Sequence, residues 1–201
     1  MFQTISYASL LTVAVGIVIH AFAGPSNKTE KKETARSSSH SFLAPGLSLI
    51  DRIKRLAALI AVVSFAVLFV TSFGQRLLQG EGLHGYTLMA HVAFAPPFIV
   101  CLTFTALTWA SRCRLTDDEW KWVSRLLHGQ PREHQSDLGW KLSFWIAALL
   151  AIPASLSIVS MMYPVIGTHG QETLFEIHRY TTLALSLAAA VHIYLFLRSR
   201  R

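Results

Sequence analysis

Thr173 to Leu197 reads TLFEIHRYTTLALSLAAAVHIYLFL, an almost wholly apolar stretch of 25 residues that carries two histidines, His178 and His192. A helix needs about 20 such residues to cross a hydrocarbon core. Fourteen residues of helix are about 21 Å of rise, and they bring the second ring to within about 40° of the first around the axis. One face of one membrane helix would therefore present an imidazole towards each side of a bilayer. Ionisable groups at that depth are costly and mark functional pathways. The two are candidate metal ligands, and the rest of the chain must supply their partners.

The surrounding sequence has the same texture. Of 201 residues 52% are apolar and only 14% charged, and the apolar ones come in long runs near 4–23, 53–73, 86–110, 142–163 and 173–197. Five runs of spanning length leave no room for a soluble catalytic domain, so the expected fold is an all-α integral membrane protein. The expected organisation is an N-terminal transmembrane helix over 1–23 and a polar cytoplasmic linker over 24–49. A four-helix membrane domain then fills 50–197, and a basic tail ends the chain at 198–201. A signal peptide is the other reading of 1–23, but no basic residue precedes its apolar core, and Lys28, Lys31 and Lys32 follow it.

The net charge of +7 does not point to nucleic acid, because the basic residues flank apolar runs. Seven Lys and Arg lie in 24–55, six in 110–141 and three in the tail, leaving only Arg76 and Arg179 elsewhere. The positive-inside rule makes those three segments cytoplasmic, with the N-terminus outside. Cys101 and Cys113 form no C-x-x-C motif, so no iron–sulfur cluster or covalent haem attachment is argued.

In chain order, the first core helix is expected from Ile50 to about Phe73, without a histidine, and a short outer loop over Gly74–Gly82. The second core helix opens GLHGYTLMAHVAFAPPF, with His84 at the mouth and His91 about 10.5 Å deeper on the same face. Thr116 and Glu119 have capping-box spacing before DDEWKWVSRLL, which predicts an amphipathic helix near 117–128, lying on the inner membrane surface or docking a cytoplasmic partner. The third core helix, Lys141 to Tyr163, ends MMYP, and its methionines read as packing. An outer loop, Pro164–Glu172, then carries His169.

A b-type haem held between neighbouring helices needs two imidazoles at matched depth. His91 and His178, each in the outer half of a helix that runs inward, meet that condition better than His84 and His178. For His192 the second helix offers only Thr105 at the corresponding depth, and His20 is the one remaining intramembrane histidine. The competing reading of all these residues is interhelical hydrogen bonding alone.

The four core helices, LHGYTLMAH, and EIHRY…AAAVHIYL with its fourteen-residue spacing resemble the four-helix cytochrome b membrane subunits, such as the gamma subunit of formate dehydrogenase and the cytochrome subunit of nickel-iron hydrogenase. The resemblance covers about residues 50–197. It implies haem b, electron transfer between the quinone pool and a redox partner, and residence in a bacterial inner membrane. The partner would be a periplasmic multihaem cytochrome or iron–sulfur subunit. It also implies His91 and His178 as ligands of an outer haem and His192 as one ligand of an inner haem. The family's other inner ligand would stand at the start of the first core helix, where this chain reads RIKRLAALIA; His20 is the candidate left for that role. Arg179 and Arg76 are candidates to pair with haem propionates, and Glu172, Glu176 and His169 to relay protons. A haem-free membrane anchor or assembly subunit of a respiratory complex is the alternative.

Overall fold

A computed structural model describes residues 1–23, 48–128, 138–163 and 166–199. Outside the described residues lie 24–47 of the linker, Gly129 and Pro131, which the sequence leads one to expect as the stop of the amphipathic helix, His40 and His134, both expected to be solvated, and the end of the tail. Among those described the chain is all-helical: α1 Phe2–Ala23, α2 Leu49–Phe69, a π-helical turn Val70–Gly74, α3 Gln75–Gln79, α4 Gly85–Trp109, α5 Asp117–Leu127, α6 Leu138–Met161 and α7 Thr168–Ser199. Five stretches are long and apolar enough to cross a membrane: Phe2–Phe22, Leu49–Gln79, Gly85–Trp109, Leu138–Met161 and Thr168–Ser199. They coincide with the five apolar runs, extended at their polar ends.

The chain forms two compact units, one of Met1–Val13 with Trp109–Arg201 and the other of Ala14–Thr108. In the first unit α6 and α7 pack side by side, antiparallel, and Gly139 allows Leu195 to approach where a Cβ would stand 3.4 Å from it. The start of α1 lies on α7. Phe2 is buried and meets the Tyr180 ring edge-on at 5.3 Å, and Ser6 beneath it is sealed by donating to the Phe2 carbonyl. The first helix is therefore attached at its outset to α7, at Arg179 and Tyr180.

In the second unit Ser48 caps α2 by accepting from the Asp51 amide at 3.2 Å. The helix does not stop at Phe73, as the end of the apolar run had led one to expect. It passes through the π-turn and on to Gln79, because Gln75, Arg76, Leu77 and Leu78 are good helix formers. Gly80, at φ 74°, ends it in a left-handed cap, its amide donating to the Arg76 carbonyl at 3.1 Å. The expected outer loop is thus shorter, and Gln75 belongs to a helix. The α7 boundary shifts the same way: His169 and Glu172 lie in its polar first turns, not in a loop. Hydropathy marks the part of a helix that suits hydrocarbon, and the hydrogen-bonded rod continues past it.

No residue of α4 is buried, although the helix is apolar all round. Val62, Val100, Leu107, Leu149 and Leu156 are exposed likewise. Apolar surface on this scale marks a surface made for an apolar or protein environment, not for water.

Candidate functional site

The two histidines of α7 sit in matching cradles on α6. His178 Nδ1 lies 2.9 Å from the Ala154 carbonyl oxygen and 3.4 Å from Ser157 Oγ. His192 Nδ1 lies 3.2 Å from the Trp140 carbonyl oxygen and 2.9 Å from Ser143 Oγ. Each serine gives its own proton to the same carbonyl, at 3.0 Å from Ser157 to Ala154 and 2.9 Å from Ser143 to Trp140. A carbonyl only accepts, and a hydroxyl whose proton is spent accepts too, so Nδ1 carries the hydrogen in both rings. The lone pair is thereby on Nε2, and the same Nδ1 arrangement fixes tautomer and ring orientation in metal-binding histidines.

The repeat has a geometric cause. Stepping fourteen residues back along α6, from Ala154 to Trp140 and from Ser157 to Ser143, while stepping fourteen forward along α7 preserves the antiparallel register. Fourteen residues are two heptads, the period at which two packed helices keep the same faces together. Both serines are buried in that seam.

In the second unit His91 is held by a related device. Its Nδ1 lies 3.1 Å from Thr71 Oγ1, and Thr71 gives its proton to the Val67 carbonyl at 2.7 Å, so again Nδ1–H donates. Thr71 stands in the π-turn, a register change that recurs at functional sites. One helical turn along, Gln75 meets Thr87, through a hydrogen bond from the Thr87 hydroxyl to the Gln75 amide oxygen. His84 is exposed, precedes α4, and is engaged by Gln75 and by the Gly82 carbonyl. Position and partners thus distinguish the two: His91 is within α4 and His84 precedes it. His20 is exposed on the part of α1 that belongs to this second unit. Thr105, noted above for its depth, is half-buried, with its hydroxyl oxygen enclosed and without a hydrogen-bond partner among the described residues.

Arg179, one residue beyond His178, lies over the Phe2 ring at 4.2 Å and near the Phe175 ring at 5.5 Å, and its Nη1 pairs with Glu176. It fastens α1 to α7 by cation–π contact. Its Nε is buried without a hydrogen-bond partner among the described residues.

At the opposite end of α6 the turn after α4 is locked down. Thr116 and Glu119 form the capping box: the Thr116 amide donates to Glu119 Oε2 at 2.7 Å and the Glu119 amide to Thr116 Oγ1 at 3.4 Å. The other Glu119 oxygen takes Lys141 Nζ at 2.6 Å, with side chains only 11% and 14% exposed. Burial pushes the Glu119 carboxyl up, but Lys141 and the Thr116 donors outweigh it and hold the group below the usual carboxylate range. Trp145 Nε1 donates to the Cys113 carbonyl at 2.9 Å. Burial pushes the Cys113 thiol up against a smaller pull from Lys141, so it is an inert packing group. Trp120, on the expected apolar stripe of α5, is 63% exposed.

No protein-family model, curated protein or solved structure matches this chain. The sequence reading named the histidines but missed what holds them. Ser143 and Ser157 repeat the fourteen-residue spacing of His178 and His192, and that shared interval on consecutive helices was the available signal. No group of three or more His, Cys, Asp or Glu that would hold a metal ion lies among the described residues. An iron already held by a porphyrin asks the protein for only one or two axial ligands, so such a group is not required.

Proposed function

We propose that the protein is a b-type cytochrome, a multi-pass subunit of a bacterial inner membrane with its N-terminus outside and C-terminus inside. It passes electrons between the quinone pool and a periplasmic redox partner, a multihaem cytochrome or iron–sulfur subunit. The observation that carries this reading is the treatment of His91, His178 and His192. All three have Nδ1 tied to an oxygen acceptor on a neighbouring helix, which disposes Nε2 to ligate.

The donors fit haem b. His91 and His178 would supply an outer iron, His192 one side of an inner one, and His20 is the candidate for its other side. The unpaired Arg179 Nε beside His178 suits a propionate. Bound haem supplies reversible one-electron chemistry; the chain's part is to orient the imidazoles and to surround them with apolar side chains.

The alternative, a haem-free membrane anchor, draws on the same contacts, since each Nδ1 bond also fastens one helix to another. The absorption spectrum of detergent-purified protein separates the two. A Soret band with a reduced alpha band, and a pyridine haemochrome of b type, are the expected result. Haem-loaded host membranes yielding protein without a Soret band would overturn the cytochrome reading.

A further inference from the structure

His178 and His192 share one helix and matching cradles, yet what stands beside them differs. The residue after His192 is Ile193, which is exposed, and the His192 ring lies against the Phe144 and Phe196 rings at 6.1 and 6.2 Å. The residue after His178 is Arg179, whose side chain is only 17% exposed. Consecutive residues of a helix point about 100° apart. His178 turns to α6 while Arg179 turns to the start of α1, so α7 is held from two sides at this level.

A guanidinium within an apolar span is costly unless it is paired. Arg179 is both paired and covered. Glu176 takes its Nη1, and the Phe2 and Phe175 rings stand 4.2 and 5.5 Å from its Cζ. Phe175 and Glu176 are neighbours of Arg179 on α7 itself, four and three residues back. The Phe2 ring is the part of the cover that α1 supplies. It is buried and edge-on to Tyr180 at 5.3 Å, and the Phe2 carbonyl accepts from Ser6 Oγ at 2.9 Å.

A charge so covered acts more strongly than one in water. The interaction of two unit charges grows about fourfold as the effective dielectric constant falls from about 80 to about 20. Glu176 offsets the Arg179 charge only in part, because its own side chain is half-exposed. Ferric haem carries one more positive charge than ferrous haem, so a guanidinium kept from water beside it favours the reduced state.

We propose that Phe2 is a positioning residue for the outer site: its ring holds the Arg179 guanidinium in place and out of water, so that this charge raises the potential of the iron held by His178. The start of α1, which stands outside the four core helices, is thereby part of that site. The role of the charge rests on the electron-transfer reading above; the cover over Arg179 does not.

The test uses the full chain in phospholipid nanodiscs. Phenylglyoxal labelling with peptide mapping reports the cover, with the exposed Arg112 as reference. Redox titration reports the charge. Arg179 should label more slowly than Arg112 in the parent. Phe2→Leu keeps an apolar side chain but no ring, and should speed labelling of Arg179 about tenfold, the size of one lost shielded cation–π contact. It should also lower the midpoint potential of the haem that His178→Ala removes, and leave in place that of the haem that His192→Ala removes. Phe2→Tyr keeps the ring and should keep the parent's labelling and potentials. Ser6→Ala disturbs α1 beside Phe2 without touching the ring, and should move neither readout. Arg179 labelled as fast as Arg112 in the parent overturns the proposal, and so does a potential shift in Ser6→Ala equal to that in Phe2→Leu. Unchanged potentials in Phe2→Leu protein that carries its Soret band overturn the proposal and leave the cytochrome reading standing. Protein that takes up no haem overturns the cytochrome reading and the role of the charge with it, even where Arg179 is found covered.

Discussion

The α6–α7 pair and the region of the π-turn and α4 both hold imidazoles through Nδ1, but by different means. On α6 the acceptor is a backbone carbonyl backed by a serine, repeated at two heptads in a regular helix. Beyond α2 it is the hydroxyl of Thr71, in the π-turn, with no second copy among the described residues. A regular seam can be duplicated by spacing alone, whereas a register change serves one site. The difference predicts that the two α7 histidines are equivalent. His178→Ala and His192→Ala should each remove one haem, and His91→Ala should remove the same haem as His178→Ala. Pyridine haemochrome counts on purified variants check this. Full haem content in His192→Ala would break the equivalence and make its cradle a purely structural bond.

The pairs differ again at their ends. The region of α3 and the start of α4 closes with a polar cluster, Gln75, His84 and Thr87, in which His84 is exposed. The α5–α6 corner closes with a nearly buried ion pair, Glu119 to Lys141. Lys141→Met should therefore destabilise by about 3 kcal/mol, because it leaves an uncompensated carboxylate. Glu119→Gln with Lys141→Met should recover much of that loss. Thermal unfolding followed by tryptophan fluorescence in one detergent measures both. A single variant as costly as the double would show that the capping box, not the pair, holds the corner.

What could be read beforehand follows from the same contrast. The five spans, the capping box at Thr116 and the likeness in position of His178 and His192 all follow from hydropathy, cap chemistry and helical period. Those are properties of one segment at a time. The cradles of Ser143 and Ser157, and the polar cluster at Gln75, come from pairs of helices in register. The extension of α2 through Gly74 was hidden by a glycine that reads as a break but here keeps a right-handed helical conformation. The hydrogen-bond partners of the two α7 histidines are a serine and a carbonyl each, which no motif marks.

Acid sharpens the view of the charged corner. The Glu119 carboxyl titrates below its ordinary value near 4.5, so its folded form favours the charged state. Its contribution is present above that ordinary value and is lost as pH falls through the lower, folded one. The melting temperature of the protein should carry an additional fall below about pH 4.5, missing in Glu119→Gln, whereas between pH 5 and 7 the two should run parallel. A Glu119→Gln curve that diverges from the parent above pH 5 would assign the transition to another group.

The smallest expected effect distinguishes the two cradles from each other. His178 leans on its carbonyl, at 2.9 Å against 3.4 Å to the serine, whereas His192 leans on its serine, at 2.9 Å against 3.2 Å to the carbonyl. Removing a hydroxyl from a hydrogen bond between neutral groups costs about 0.5–1.5 kcal/mol. Ser143→Ala should fall at the upper part of that range and Ser157→Ala at the lower, since the second imidazole keeps its better partner. A redox titration of the haem-loaded protein adds a readout that packing alone would not move. Weakening the Nδ1–H bond lowers imidazole basicity and should raise the potential of the haem ligated by His192 more than that of the haem ligated by His178. Equal shifts from the two variants would mean that the carbonyls orient both rings and that the serines only fill the seam.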